Sequence, residues 1–278
     1  AAFDDAAEST GLKAFALYHK ALSLATVGDF EGSDAIFSGD AGGPLRLTRR
    51  GVFAHAQVLS QLDRNEDAIE LVRAAFGSDL DPALSKLVAD LEAGERLPFD
   101  LITSPEDGLA EVFFTVAGAL QGEASDAYTL LYTRIAEYLR PNHVDAILLT
   151  AGLLESQGRF ELATEAFNKV PRDDAAFHAA ELGRAAALRN SGKPDAAIEV
   201  LEQLTETNGD LPVVYSTLGD ALIAQCVHAD VDQVVALIQQ GADVNAVGAD
   251  GWSALTSAAL RGYADVVRAL AARGADVN

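Results

Sequence analysis

The sequence predicts an all-α protein, a right-handed superhelical solenoid of stacked helical hairpins, and three observations carry that prediction. Small residues and leucines recur every 34 positions over most of the first 225 residues. Alanine and leucine dominate, and aromatic residues make up only 7% of the chain, a composition that loses little entropy on becoming helical. Near the end, Gly-Ala-Asp-Val-Asn at 241–245 returns at 274–278, a step of 33.

The 34-residue period is read in two registers. Ala117, Ala151, Ala185 and Gly219 keep one, and Leu120, Leu154, Leu188 and Leu222 keep the other, three residues on. Gly158 and Gly192 repeat it as turn residues, and Ala163 and Ala197 fall twelve positions after the first small residue of their copies. Two antiparallel helices joined by a short turn must approach closely, and small residues on both permit this. Ala151 against Ala163 is such a crossing. Phe160 and Phe167 are core residues that fill the space before the next hairpin. The pattern reaches back through Ala21, Leu24, Gly28, Phe30 and Phe37, and through Ala56, Leu59 and Ala68.

These residues resemble the tetratricopeptide repeat, a helix-turn-helix unit of the same length with a closing proline, here Pro141. The resemblance covers about residues 12–225. It departs over 77–104, where Leu80 to Glu95 reads helical without keeping register, and the second helix from Tyr128 to Tyr138 drifts too.

Beyond Gln225 the period changes. Asp250, Gly251, Trp252, Ser253, Ala254 and Leu255, followed by Ala258, Ala259, Gly262, Val266, Val267 and Leu270, resemble the ankyrin repeat, a β-turn and two short helices. Ser253-Ala254-Leu255-Thr256 departs from the family's usual Thr-Pro-Leu-His, which implies a looser first helix. One period earlier stand Leu222, Val234 and Leu237, so the registers overlap. The organisation expected is a tetratricopeptide array over 1–225, irregular at 77–104, and ankyrin repeats over 226–278 that share the helix 212–226. No Gly-, Pro- or Ser-rich linker intervenes. A shared helix suits both a natural hybrid and a deliberate fusion of scaffolds. Solenoids usually end in a polar capping helix, so the native chain is expected to continue past Asn278.

With 42 acidic and 20 basic residues the formal charge is -22, which repels phosphate backbones and anionic headgroups. Nucleic acid is therefore not an expected partner. Solvated helix faces on an acidic protein produce the same charge without any cationic ligand. The single cysteine, Cys226, forms no disulfide within the chain and no cysteine-based zinc site. Apolar runs such as Ala146 to Leu154 are too short to span a bilayer, so no membrane insertion is expected. The sequence starts at Ala1 and has no methionine, so its start is either processed or a cut boundary. The expected location is the cytoplasm, or the periplasm if Ala1 follows a removed signal peptide.

Motifs for chemistry do not assemble. His19, His55, His143, His178 and His228 never fall at the three- or four-residue spacing of a metal or catalytic pair. His143 and His178 are 35 apart, near the starts of successive first helices, but further ligands are missing. The glycine cluster Gly39 to Pro44 lacks the lysine and hydroxyl residue of a phosphate loop. Asp243, Asn245 and Gly248 imitate a calcium loop, but Val247 holds a ligand position and Ala254 replaces the closing glutamate. No catalytic residue, no metal site and no cofactor is expected, and the chain is not read as an enzyme.

The tetratricopeptide resemblance implies a concave wall lined by the first helix of each hairpin, which in that family holds peptides. Asp145, Leu148, Gly152 and Glu155 would line it, then Ala179, Leu182, Ala186 and Arg189, then Val213, Ser216 and Asp220. Family members that clamp chaperone carboxylate tails carry lysines and asparagines there, and this chain does not. The expected partner is a protein or peptide presenting an apolar or basic segment. A structural or engineered spacer with no native ligand is the alternative reading.

Overall fold

The computed structural model describes residues 2–9, 11–39, 43–78, 80–208, 211–225, 244–245, 252–260 and 262–276. Its regular elements are helices: α1 (Ala2–Ala7), α2 (Lys13–Thr26), α3 (Phe30–Phe37), a 3-10 turn (Pro44–Leu47), α4 (Arg49–Gln61), α5 (Asn65–Phe76), α6 (Pro82–Glu92), α7 (Pro105–Leu120) and α8 (Asp126–Leu139). They continue with α9 (Val144–Ser156), α10 (Phe160–Phe167), α11 (Phe177–Asn190), α12 (Pro194–Thr207), α13 (Pro212–Gln225), α14 (Ala254–Leu260) and α15 (Ala264–Ala271). The chain divides into two compact units, Ala1–Ala146 and Ile147–Asn278, with the division inside α9.

The small residues of the 34-residue pattern lie at helix crossings. Ala21, Ala56, Ala117 and Ala151 on the first helices are fully buried, as are Ala68 and Ala163 on the second helices. Gly28, Gly158 and Gly192 turn between them with φ of +85, +72 and +78°, a left-handed conformation that costs glycine nothing. Asp63 takes the same turn at φ +58°, and a short acidic side chain tolerates it. In the α2/α3 hairpin the small residue of the second helix is Ser33. It is 0% exposed and its hydroxyl has no hydrogen-bond partner. Ser33→Ala is therefore expected to raise stability by about 1 kcal/mol, read as a shift in the urea midpoint, because it removes a buried, unsatisfied group.

The interruption at 77–104 is one helix and an extended strap. Asp81 caps α6, its carboxylate accepting from the Ala83 and Leu84 amides at 2.9 and 3.0 Å. The strap then runs along α4, burying Leu97, Leu101 and Ile102. A strap without secondary structure must satisfy its backbone elsewhere. Ser60 accepts from the Leu97 amide at 2.9 Å, Gln61 donates to the Leu97 carbonyl, and Asn65 donates to the carbonyls of Leu91 and Glu95 at 3.2 and 2.9 Å. In α8 the pattern drifts because its faces are inverted. Thr129, Thr133, Ala136 and Glu137 turn inward, while Tyr128, Leu131 and Tyr138 are exposed. Small inward residues let α8 pack closely on α7.

In the second unit the hairpins α9/α10 and α11/α12 precede α13. Gly183 on α11 faces Phe167 of α10 so closely that a Cβ there would overlap the ring, which places Phe167 in the space assigned to it between hairpins. Leu255, Ala258, Val266 and Leu270 form the core of α14 and α15. Asn245 of the first Gly-Ala-Asp-Val-Asn copy meets Gly274 and Asp276 of the second. Asn245 donates to the Gly274 carbonyl at 3.3 Å and accepts from the Asp276 amide at 2.7 Å. Ser253 caps α14 through the Thr256 amide at 3.2 Å, and the two hydroxyls lie 3.0 Å apart. Cys226, His228, Val234, Leu237 and Asp243 lie outside the described residues, as does the side chain of Leu222, although α13 itself runs to Gln225.

Candidate functional site

The residues expected on the concave wall fall in both units. Leu148, Gly152 and Glu155 stand on α9, Leu182, Ala186 and Arg189 on α11, and Val213, Ser216 and Asp220 on α13, all in the second unit. Leu148, Leu182 and Ala186 are half-buried, whereas Gly152, Arg189 and Val213 are exposed. Space is left around the smallest residues, since a Cβ at Gly152 or at Gly219 would meet no atom within 4 Å. Ala186 and Arg189 border a pocket of about 30 Å³ that reaches Leu201 on α12 and Thr217 and Ala221 on α13, room for roughly one water. Leu182 packs onto the cluster of Ala185, Leu188, Ile198, Leu201 and Leu218 that joins α11, α12 and α13.

Polar groups tie neighbouring first helices together. Asn190 on α11 donates to Glu155 on α9 at 3.3 Å. Burial raises the Glu155 carboxyl above its ordinary value, with Asn190 and Arg189 opposing. Ser216 and Thr217 both donate to the Val213 carbonyl, at 3.0 and 2.8 Å, so their hydroxyls are turned back on α13. The residues expected to line the wall are thus mostly small or apolar, and Glu155 and Asp220 stand on two of these helices.

Asp145 is held differently. It lies in the first unit and pairs with Arg50 of α4, whose guanidinium also grips Glu111 of α7, the Nε donating to Oε2 at 3.1 Å. Glu111 is fully buried. His143 supplies a further contact, its Nε2 3.0 Å from Glu111 Oε1. The tautomer follows from the other ring nitrogen. Nδ1 accepts the Ala146 amide at 3.2 Å, capping α9, so the proton of the neutral ring sits on Nε2. Phe114 closes the cluster, 5.5 Å from the guanidinium carbon and 4.8 Å from the imidazole.

Burial pushes the Glu111 carboxyl up, but His143 and Arg50 outweigh it and hold the group below the ordinary carboxylate range. Burial of Tyr18, with Glu111 nearby, pushes its phenol well above the usual value. A cavity of about 400 Å³ opens beside this cluster, bordered by Tyr18, Leu45, Arg50, Phe114, Gly118 and Asp145. Asp145 is a residue expected on the groove, whereas Arg50 and Glu111 are 61 residues apart and share no motif that marks them in the sequence. His143 caps α9 through Nδ1 and brings Nε2 to 3.0 Å from the Glu111 carboxylate. His178 has its Nδ1 3.0 Å from the Ala175 carbonyl. Among the described residues no three His, Cys, Asp or Glu side chains converge as a metal site, and no helix is long and apolar enough to cross a membrane.

Residues 222–277 match the family model for ankyrin repeats (many copies), so the C-terminal segment is an ankyrin segment. No curated protein matches the chain. Among solved structures it is similar to the crystal structure of MamA protein, 16% identical, with 72% of this chain and 94% of that chain covered and a TM-score of 0.36. Paired helices in a 34-residue register, followed by ankyrin repeats, make this an all-α repeat protein. Repeats of these kinds generally serve protein binding and are typically non-catalytic.

Proposed function

We propose that the chain is a non-catalytic scaffold that holds an apolar or basic segment of a partner protein against the wall formed by α9, α11 and α13. The observation that supports this most is the open space over Gly152 and Gly219, flanked by Glu155 and Asp220. A wall of glycine and alanine with no side chain folded over it admits the apolar anchors of a guest, and adjacent carboxylates favour a cationic one. Affinity then comes from a few buried anchors, offset by ordering costs. On this reading the hairpin array extends over 1–225 and the ankyrin repeats over 226–278 through the shared helix 212–226. The chain acts in the cytoplasm and binds neither nucleic acid nor any cofactor.

Affinity capture with mass spectrometry, run in parallel on the native chain and on Glu155→Lys/Asp220→Lys, tests it. A stoichiometric partner lost on charge reversal is the expected result. A partner retained equally by the variant contradicts the wall assignment, and reproducible absence of any partner favours a structural spacer instead.

A further inference from the structure

The cavity of about 400 Å³ in the first unit joins ionised groups to an apolar lining made by Leu45, Phe114, Gly118 and Ala119. A Cβ at Gly118 would meet no atom within 4 Å. Among the ionised groups the balance is uneven. Arg50 brings one positive charge, which Glu111 and Asp145 share. Arg49, the other basic residue on the lining, is matched by Asp81 through hydrogen bonds at 3.1 and 3.3 Å. His143 adds no charge, because its Nδ1 accepts the Ala146 amide. One negative charge is therefore left over, and the two carboxylates do not carry it equally. Glu111 is fully buried and meets both the guanidinium and the imidazole. Asp145 gives only Oδ2 to Arg50, its side chain is 33% exposed, and among the described residues Oδ1 has no hydrogen-bond partner. An exposed carboxylate with an unused oxygen on the border of a cavity accepts a donor brought by a ligand. Tyr18 adds a second acceptor. It is 3% exposed, borders the same cavity, and its hydroxyl is bonded to no described residue. The charges of Glu111, Arg50 and Asp145 all act on this phenol, which sets the hydroxyl on the charged side of the cavity.

We propose that this cavity binds a primary ammonium group carried on an apolar stem, the ammonium donating to Asp145 and to the Tyr18 hydroxyl while the stem lies along Leu45, Phe114 and Ala119. An anion would set its charge against two carboxylates, and a neutral group would leave the surplus charge unmatched. The ammonium has three donors, enough for both acceptors and for water at the opening. A free amine and a lysine side chain of another protein share this chemistry. All of the lining residues lie in the first unit, apart from the residues Leu148 to Asp220 expected on the wall.

The test uses phenethylamine, 2-phenylethanol and 3-phenylpropanoate, which share one body and differ in charge, together with Nα-acetyl-lysine amide, which carries the ammonium on the stem found in proteins. Each is titrated into the whole chain while the Tyr18 and Phe114 rings are followed by NMR. The expected result is saturable perturbation of both rings by an amine, at least about tenfold tighter than by the alcohol, the worth of one charge-assisted hydrogen bond, and none by 3-phenylpropanoate. Tighter binding of phenethylamine assigns the site to a free amine, and tighter binding of the lysine derivative to a protein side chain. Asp145→Asn keeps the shape and removes the charge, and should weaken amine binding about tenfold. Two glycine variants keep the outcome independent of misfolding. Gly118→Leu fills the cavity and should abolish binding. Gly108→Leu, on the same helix but outside this cavity, where a Cβ meets only Ile102 at 3.8 Å, should leave it unchanged. Equal binding of phenethylamine and 2-phenylethanol, amine binding undiminished by Asp145→Asn, native-like binding by Gly118→Leu, or rings unperturbed by either amine up to the highest concentration at which the chain stays folded would overturn the proposal.

Discussion

Glu111→Ala is expected to destabilise the first unit by about 3 kcal/mol, at the low end of what breaking a buried ion pair costs. The carboxylate is fully buried, and it is the group on which Arg50 of α4 and His143 ahead of α9 converge. Removing it leaves the guanidinium with Asp145 alone and takes away the carboxylate beside the imidazole. Asp145 softens the loss because its side chain is 33% exposed and shares its charge with water. Asp145→Ala should for the same reason cost only about 1 kcal/mol. Buried pairs also carry a desolvation cost, so Glu111→Leu combined with Arg50→Met should recover most of the stability lost in Glu111→Ala. Hydrogen exchange of the α4 and α7 amides reads all three. Equal protection in Glu111→Ala and the native chain would mean that the network contributes nothing to the first unit.

Acidification to pH 5 is expected to weaken the same unit through His19. Burial lowers the folded-state pKa of this ring from 6.5 to about 4, with Glu111 opposing. The unfolded chain therefore binds a proton that the folded chain refuses between these values. Stability is complete above about pH 6.5 and falls as pH drops toward 4. Between pH 7.5 and pH 5 this group's share is about 2 kcal/mol. His55 shifts in the same direction through burial, with Asp34 resisting it at 2.8 Å, and adds to the loss. His19→Phe removes the larger share, so exchange of the α2 amides, corrected for intrinsic rates, should lose most of its pH dependence over this range. An unchanged slope would show that the ring titrates normally in the folded chain.

The parts of the fold legible in the sequence are those fixed by repetition. Ala151, Ala163 and Ala185 had to be small because helices cross there, and Gly158 and Gly192 had to turn left-handed, so each constraint recurs once per hairpin and becomes visible as a period. Constraints that arise once leave no such trace. Arg50 and Glu111 are 61 residues apart and meet only because α4 and α7 are brought together in the folded first unit. The strap over 93–104 is equally silent. Its backbone is satisfied by Ser60, Gln61 and Asn65, polar residues whose identity on a helix reads as exposed surface until the strap covers them. In α8 the buried positions are Thr129, Thr133, Ala136 and Glu137 while Tyr128, Leu131 and Tyr138 are exposed, which obscures the pattern by which a core face is recognised.

The residues expected on the wall were named from the hairpin register, and the structure places them on α9, α11 and α13 and, for Asp145, in the first unit. Their chemistry was not legible in it. Glu155 is engaged by Asn190, and Ser216 by its own helix, neither of which spacing can report. Asp145, expected on the same wall, pairs with Arg50 in the first unit. Of the expected wall carboxylates, Glu155 stands on α9 and Asp220 on α13.

The most direct measurement is a titration of a peptide selected from a random displayed library against the native chain, followed by fluorescence anisotropy. Selected peptides are expected to combine apolar anchors with lysine or arginine, and Glu155→Lys/Asp220→Lys to weaken their binding at least about tenfold, as attraction to two carboxylates becomes repulsion. Binding that is indifferent to both reversals would contradict the assignment of the wall.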